Sequence, residues 1–135
     1  MWNVDILYIY NNQVVMIIMR VAIIGSRRLQ VVDLAACLPA NTSQIISGGA
    51  KGIDACAKQY AFSHGIPYIE FLPDYGRYGK AAPLKRNQQI ISCADLVIAF
   101  WDGASHGTGH AIALCRQRNV PVEIHLLVLA PQTLE

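Results

Sequence analysis

Ser47-Gly48-Gly49-Ala50-Lys51-Gly52-Ile53-Asp54 is the stretch whose residue types suit the holding of an anion. It follows the apolar run Ile45-Ile46 and leads straight into a helical pattern, so its glycines lie between a strand and a helix N-terminus. Without Cβ atoms, Gly48, Gly49 and Gly52 let successive backbone N–H groups face a phosphate, with the positive end of the helix dipole behind them. Ser47 adds a hydroxyl and Ala50 a further amide, while Asp54 serves as a ribose contact or as a helix cap. The other reading of these residues is a tight strand-to-helix turn without a ligand, in which Asp54 merely favours the first helical turn.

Three further segments carry polar groups suited to the same ligand. Gly25-Ser26-Arg27-Arg28 follows the first buried strand, and its arginines are either solvated surface charges or phosphate-facing ones. Arg86 and Asn87 sit with Lys85 in the first turn of a helix opened by Pro83. Cations there oppose the helix dipole, a cost that a nearby anion would offset. Asp102, Ser105, Gly107 and Thr108 belong to a second glycine-rich turn, Trp101 to Gly109, again between a strand and a helix. His106 and His110 are four apart, but His106 is expected to precede the helix and no zinc framework surrounds them, so no metal site is expected. No catalytic residue can be assigned from these patterns.

The elements that must position these groups read as alternating strands and helices. Strands are expected at Val21 to Ile24, Gln44 to Ile46, Tyr68 to Leu72, Leu96 to Phe100 and Val120 to Val128. Val31, Leu34, Ala35 and Leu38 mark a first helix; Ile53, Cys56, Ala57, Tyr60 and Ala61 a second, with Asp54 on its other face; Leu84, Gln88 and Ile91 a third; Ile112 and Cys115 a fourth. Tyr75 to Pro83, rich in glycine, tyrosine and cations, reads as a long loop over the site, a lid. The pattern implies an α/β, Rossmann-like three-layer sandwich: a parallel sheet of five strands in the order 3-2-1-4-5, whose glycine loops converge above strands 1 and 4.

Composition supports that reading. Hydrophobic residues make up 53% of the 135 and charged residues 15%, which suits a sheet buried on both faces. A net charge of +2 argues against broad coating of nucleic acid, although Tyr75, Arg77, Tyr78, Lys80, Lys85 and Arg86 interleave aromatics with cations as single-stranded nucleic-acid binders do. Cys37, Cys56, Cys93 and Cys115 form no C-x-x-C pair and read as reduced packing residues of a cytoplasmic protein. No membrane span is expected. Residues 1–19 read as an N-terminal extension, either a hairpin turning at Asn11-Asn12 or a non-native start ahead of Met19; 20–130 form the domain and 131–135 a tail.

The segments Val21 to Arg27, Ser47 to Asp54, Arg86-Asn87 and Ser105 to Thr108 resemble the SLOG superfamily, which joins Smf/DprA-like DNA-processing proteins and LOG-like enzymes. The resemblance covers most of residues 20–128, and S-G-G-A-x-G-I-D is most similar to the DprA-like branch. It implies a Rossmann-like fold that binds a nucleotide or nucleotide-derived phosphate as a sensor or carrier, needs no cofactor, and pairs as a homodimer. A LOG-type nucleotide N-glycosidic hydrolase and a DprA-like single-stranded DNA binder are the alternatives it carries. LOG enzymes use P-G-G-x-G-T-x-x-E with a catalytic glutamate. Laying Gly107-Thr108 on that motif places Ala111 at the glutamate position, which weighs against an enzyme.

If the first glycine turn holds the anion, Gly49→Asp should nearly abolish binding of a nucleoside phosphate, whereas Gly65→Asp, at the far end of the helix, should leave it unchanged. Calorimetric titration of both variants makes the comparison.

Overall fold

The computed structural model describes residues 7–16, 18–30 and 33–127. Two strands, β1 (Leu7–Tyr10) and β2 (Gln13–Met16), form an antiparallel hairpin. Asn11 and Asn12 both take positive φ (50° and 60°), the left-handed geometry a two-residue hairpin turn requires and asparagine tolerates. Residues 1–6, 17, 31–32 and 128–135 lie outside the described residues, and with them Val31, Val128, the expected tail and the start of the expected extension.

The remaining strands are β3 (Met19–Gly25), β4 (Thr42–Ser47), β5 (Tyr68–Glu70), β6 (Leu96–Trp101) and β7 (Val122–Leu126). They form one parallel sheet in the order β5-β4-β3-β6-β7, the 3-2-1-4-5 order expected when the hairpin is set aside. Each central strand is apolar on both sides because both faces are covered. Val21, Ile23, Ile45, Ile98 and Phe100 pack with Ile53, Ala57 and Ala61 of helix α1 (Ile53–Ser63). Their neighbours Ala22, Ile24, Ile46, Val97 and Ala99 pack on the other face against Ile90 and Ile91 of one helix and Ala111, Ile112 and Cys115 of another.

Between β5 and β6 the chain forms a four-residue helix, α2 (Tyr75–Tyr78), a 3-10 turn (Gly79–Ala81) and α3 (Ala82–Cys93), with Pro83 in the first turn of α3. The expected lid loop is therefore helical. Asp74 starts α2 by accepting the Arg77 N–H at 3.1 Å. Helix α4 (His106–Gln117) precedes β7, and Asn119 (φ 57°) ends it while the Val120 N–H reaches back to the Cys115 carbonyl at 2.9 Å. Gly65 (φ 64°) closes α1 in the same way, with the Ile66 N–H on the Ala61 carbonyl at 2.9 Å.

The helix expected after β3 does not form in residues 33–40. One turn appears, with the Leu38 N–H on the Leu34 carbonyl at 3.1 Å, and Asp33 takes the Ala36 N–H for its own side chain. Pro39 then stops it, lacking an N–H and disfavouring helical geometry at Leu38. Leu29 and Leu34 are nonetheless buried and cover the sheet beside α1.

The tightest joint is between the end of β3 and the start of α1. A Cβ on Gly25 would overlap the Ile53 side chain, lying 2.6 Å from its Cβ and 2.8 Å from Cγ2. Gly25→Ala should therefore cost about 1–3 kcal/mol, a fall of roughly 3–12 °C in melting temperature, and cost less in an Ile53→Ala background; thermal melts of the double-mutant cycle check it.

Candidate functional site

A cleft of about 520 Å³ opens at the carboxyl ends of β3 and β6, where the strand order reverses. Ile24 and Gly25 of β3, with Ser26, Arg27 and Arg28 just beyond, form one wall. Pro83, Leu84, Arg86, Asn87 and Ile90, successive positions on one face of α3, form another. Asp102, Ala104 and Ser105 after β6, and Gly107, Thr108 and Ala111 of α4, close the third side, while Ala50 and Asp54 reach in from the start of α1. Eleven of the fifteen residues singled out in the sequence thus meet here, from four separate segments. Pro83, Leu84, Ile90 and Ala104 carry no polar side chain and gave no chemical signal; the helical spacing from Asn87 to Pro83 and Ile90 was the available clue.

Ser47, Gly48, Gly49 and Gly52 are not among the lining residues. Each has a packing reason for its type. Ser47 is fully buried and donates its hydroxyl proton to the Ile23 carbonyl at 2.9 Å, bracing β4 against β3. Gly48 needs to lack a side chain because a Cβ would lie 2.5 Å from Arg86 Nη1 and 3.0 Å from Asp54 Oδ2. A Cβ on Gly49 (φ 72°) would meet Leu72 Cδ2 at 2.6 Å and the Glu70 carboxyl carbon at 2.9 Å, on the β5 side. Gly49→Asp would therefore crowd Glu70 with a like charge, and its loss of function would say little about the cleft. Gly52 (φ 76°) presses on the Arg27 and Leu29 carbonyls, 2.5 and 2.7 Å from a would-be Cβ.

The amide of Ala50, expected to face an outside anion, is already occupied by Asp54 Oδ2 at 3.1 Å. Asp54 was expected on the outer face of α1; it is 6% exposed, close to Arg86 and Arg27. Burial pushes its carboxyl above the usual carboxylate range, and the Ala50 N–H and the Arg86 charge offset this only in part. The Ser47 hydroxyl lies between the Ile23 carbonyl and the Asp54 carboxylate, and its single proton can serve one of them at a time.

Arg86 is held open over the cleft. Its Nη1 donates to the Gly48 carbonyl at 2.6 Å and its Nε to Asn87 Oδ1 at 3.1 Å, so α3 is tied to the first glycine turn. Burial lowers its pKa, with Asp54 acting the other way. Asn87, buried, reaches the Gly107 carbonyl through Nδ2 at 3.4 Å. Asp102, by contrast, is held by its own loop: it accepts from the Ala104 and Ser105 amides at 2.9 and 2.7 Å and from the Ser105 hydroxyl at 2.7 Å. The Ser105 hydroxyl and these amides hold its carboxyl well below the usual range. Ser26 Oγ accepts the Asp102 N–H at 3.3 Å, which ties the two strand ends together.

The second turn shows the opposite state of hydrogen bonding. Thr108 is 6% exposed and its hydroxyl has no partner among the described residues. The N–H groups of His106, Gly107 and Thr108 have no intrahelical acceptor, since the ladder starts with Gly109 N–H on the Ser105 carbonyl at 3.1 Å. His106 is the first residue of α4, so it shares a face with His110, contrary to expectation. No group of three or more metal-ligating side chains gathers among the described residues. Tyr78, with Arg77 at 5.2 Å and Lys85 at 5.9 Å from its ring, stands apart from the lining residues. No helix among the described residues is long and apolar enough to cross a membrane.

Residues 19–78 match the family model described as YAcAr, the YspA, cpYpsA-related SLOG family. The Gene 61 protein of Mycobacterium phage D29 is 30% identical over 84 residues, spanning 58% of this chain and 67% of that protein. No solved structure matches.

The raised carboxyl of Asp54 gives a stability test. Folding favours its protonated form, so its contribution is full below the ordinary carboxylate range and is lost as pH rises through the raised value. The melting temperature of the protein relative to Asp54→Asn should fall as pH rises above the ordinary carboxylate range, about pH 4. A pH-independent difference would mean that Arg86 and Ala50 cancel the burial cost.

Proposed function

We propose that the chain, which belongs to the SLOG superfamily, binds a phosphorylated, nucleotide-derived ligand in the cleft at the β3–β6 switch point and acts as a sensor or carrier in the cytoplasm. The observation that carries this reading is Thr108, a 6% exposed residue of the cleft wall whose hydroxyl has no partner among the described residues. That hydroxyl is open to the cleft, and it sits in the first turn of α4, where free N–H groups and the helix dipole favour an anion. The phosphate is thus assigned to the second glycine turn, with Arg86 and Arg27 as the cations of the same cleft. The first glycine turn has its own carboxylate, Asp54, where an outside anion was expected.

Binding without turnover is the form of this reading that the site favours. Ala111, at the position where LOG-type enzymes resemble this chain but carry glutamate, is a buried methyl in the cleft wall. Asp102 already accepts from the Ala104 and Ser105 N–H groups and the Ser105 hydroxyl, which fix it in the loop before α4.

Adenosine 5′-monophosphate is the first probe. At a concentration of about 100 Kd it should stabilise the protein by about 2.7 kcal/mol, read as a rise in melting temperature. Thr108→Val keeps the shape and removes the hydroxyl, so it should weaken binding by roughly ten- to a hundredfold while leaving the unliganded melt unchanged or slightly higher. Unchanged affinity in Thr108→Val, measured by calorimetry, would move the phosphate elsewhere.

A further inference from the structure

We infer that Asp54 selects ligands carrying a free vicinal pair of sugar hydroxyls, so that the cleft takes a ribose phosphate and discriminates against its deoxy forms; this rests on the phosphate reading above. Two carboxylates line the cleft, and they differ in what they can still accept. Asp102 receives three hydrogen bonds from Ala104 and Ser105 and has become part of the loop that starts α4. Asp54 receives one full hydrogen bond, from Ala50, and shares the Ser47 proton with the Ile23 carbonyl. A carboxylate has about four acceptor positions, so Asp54 keeps capacity that no group of the described chain fills.

That capacity opens on the cleft, which makes it informative. Asp54 is 6% exposed as a residue, and burial shifts its acidity in the direction expected of a carboxylate short of donors. Capping alone does not explain this placement. A cap needs one oxygen for one amide, and Ala50 already provides that. Arg86, the neighbouring cation, spends Nη1 and Nε on Gly48 and Asn87, and its distance from Asp54 is beyond ion-pair contact.

The cleft is consequently polarised. At Thr108 and the first turn of α4 it offers hydroxyl and N–H donors; at Asp54 it offers carboxylate acceptors, with Arg86 and Arg27 nearby. What fits against the open oxygen positions of Asp54 itself is a neutral group bearing O–H donors, which leaves Arg86 and Arg27 to the phosphate. Adjacent sugar hydroxyls supply two donors at the spacing of a carboxylate's lone pairs, on a ring whose other end carries the phosphate.

The test compares adenosine 5′-monophosphate with its 2′-deoxy and 3′-deoxy forms by calorimetric titration. The protein should bind each deoxy form roughly tenfold or more weakly than the ribonucleotide. Asp54→Asn, which keeps an acceptor for the Ala50 N–H, should bind all three within about twofold of one another. Thr108→Val should weaken all three by the same factor and preserve the ratio. If Asp54→Asn does not fold, Asp54→Ser, which also retains an oxygen near Ala50, carries the same readout. Equal binding of the three nucleotides by the unmodified protein, or undiminished discrimination in Asp54→Asn, overturns the inference and leaves the phosphate reading standing. Failure of all three and of inorganic phosphate to bind overturns both.

Discussion

The contact between Gly25 and Ile53 fixes how near α1 can come to the end of β3, and the functional edge of the sheet is arranged around it. With no side chain at Gly25, Ile53 seats directly on the strand, so the turn that precedes α1 is drawn over the sheet. Gly52 is pressed against the backbone of Arg27 and Leu29, and Gly48 comes within reach of Arg86. A larger residue at any of these points would lift α1 and open the turn. Close packing transmits such displacements, because interiors at near-crystalline density leave no slack.

From this joint the polar groups follow in order. Asp54 is carried into the cleft by the first turn of α1, and Arg86 bridges from α3 to the Gly48 carbonyl. Asn87 continues the chain to Gly107, and Ser26 links the ends of β3 and β6 through the Asp102 amide. Four segments are thereby held by hydrogen bonds that cross between them, which is the preorganisation a binding site needs.

The fold was legible because its signals were redundant. Ile23, Ile45 and Ile98 announce buried strands, glycines or Asn119 mark the helix ends, and the alternation of strands with helices admits few topologies. The segment after β3 was misread because Leu34 and Leu38 keep helical spacing while Pro39 and the Asp33 side chain prevent more than one turn. Tyr75 to Ala81 was misread in the other direction, since the Asp74 cap outweighs two glycines over so short a helix. The site was legible as a set of residues and not as a set of roles. Glycine spacing looks the same whether it makes room for a phosphate or for Ile53, Arg86 and a neighbouring backbone, and that difference lies in three dimensions. The under-used oxygen capacity of Asp54 and the unpaired Thr108 hydroxyl are properties of partners, which no spacing records.

Trp101 stands at the end of β6, with its indole N–H on the Ser105 carbonyl at 3.0 Å and its six-membered ring 3.1 Å from where a Cβ on Gly109 would be. The indole is therefore fastened to the first turn of α4, the same turn that carries Thr108. The emission of an indole depends on the field and wetness around the ring, so Trp101 is placed to respond to changes at that helix end. A side chain that the packing of α4 already required is thus also a spectroscopic reporter on that turn.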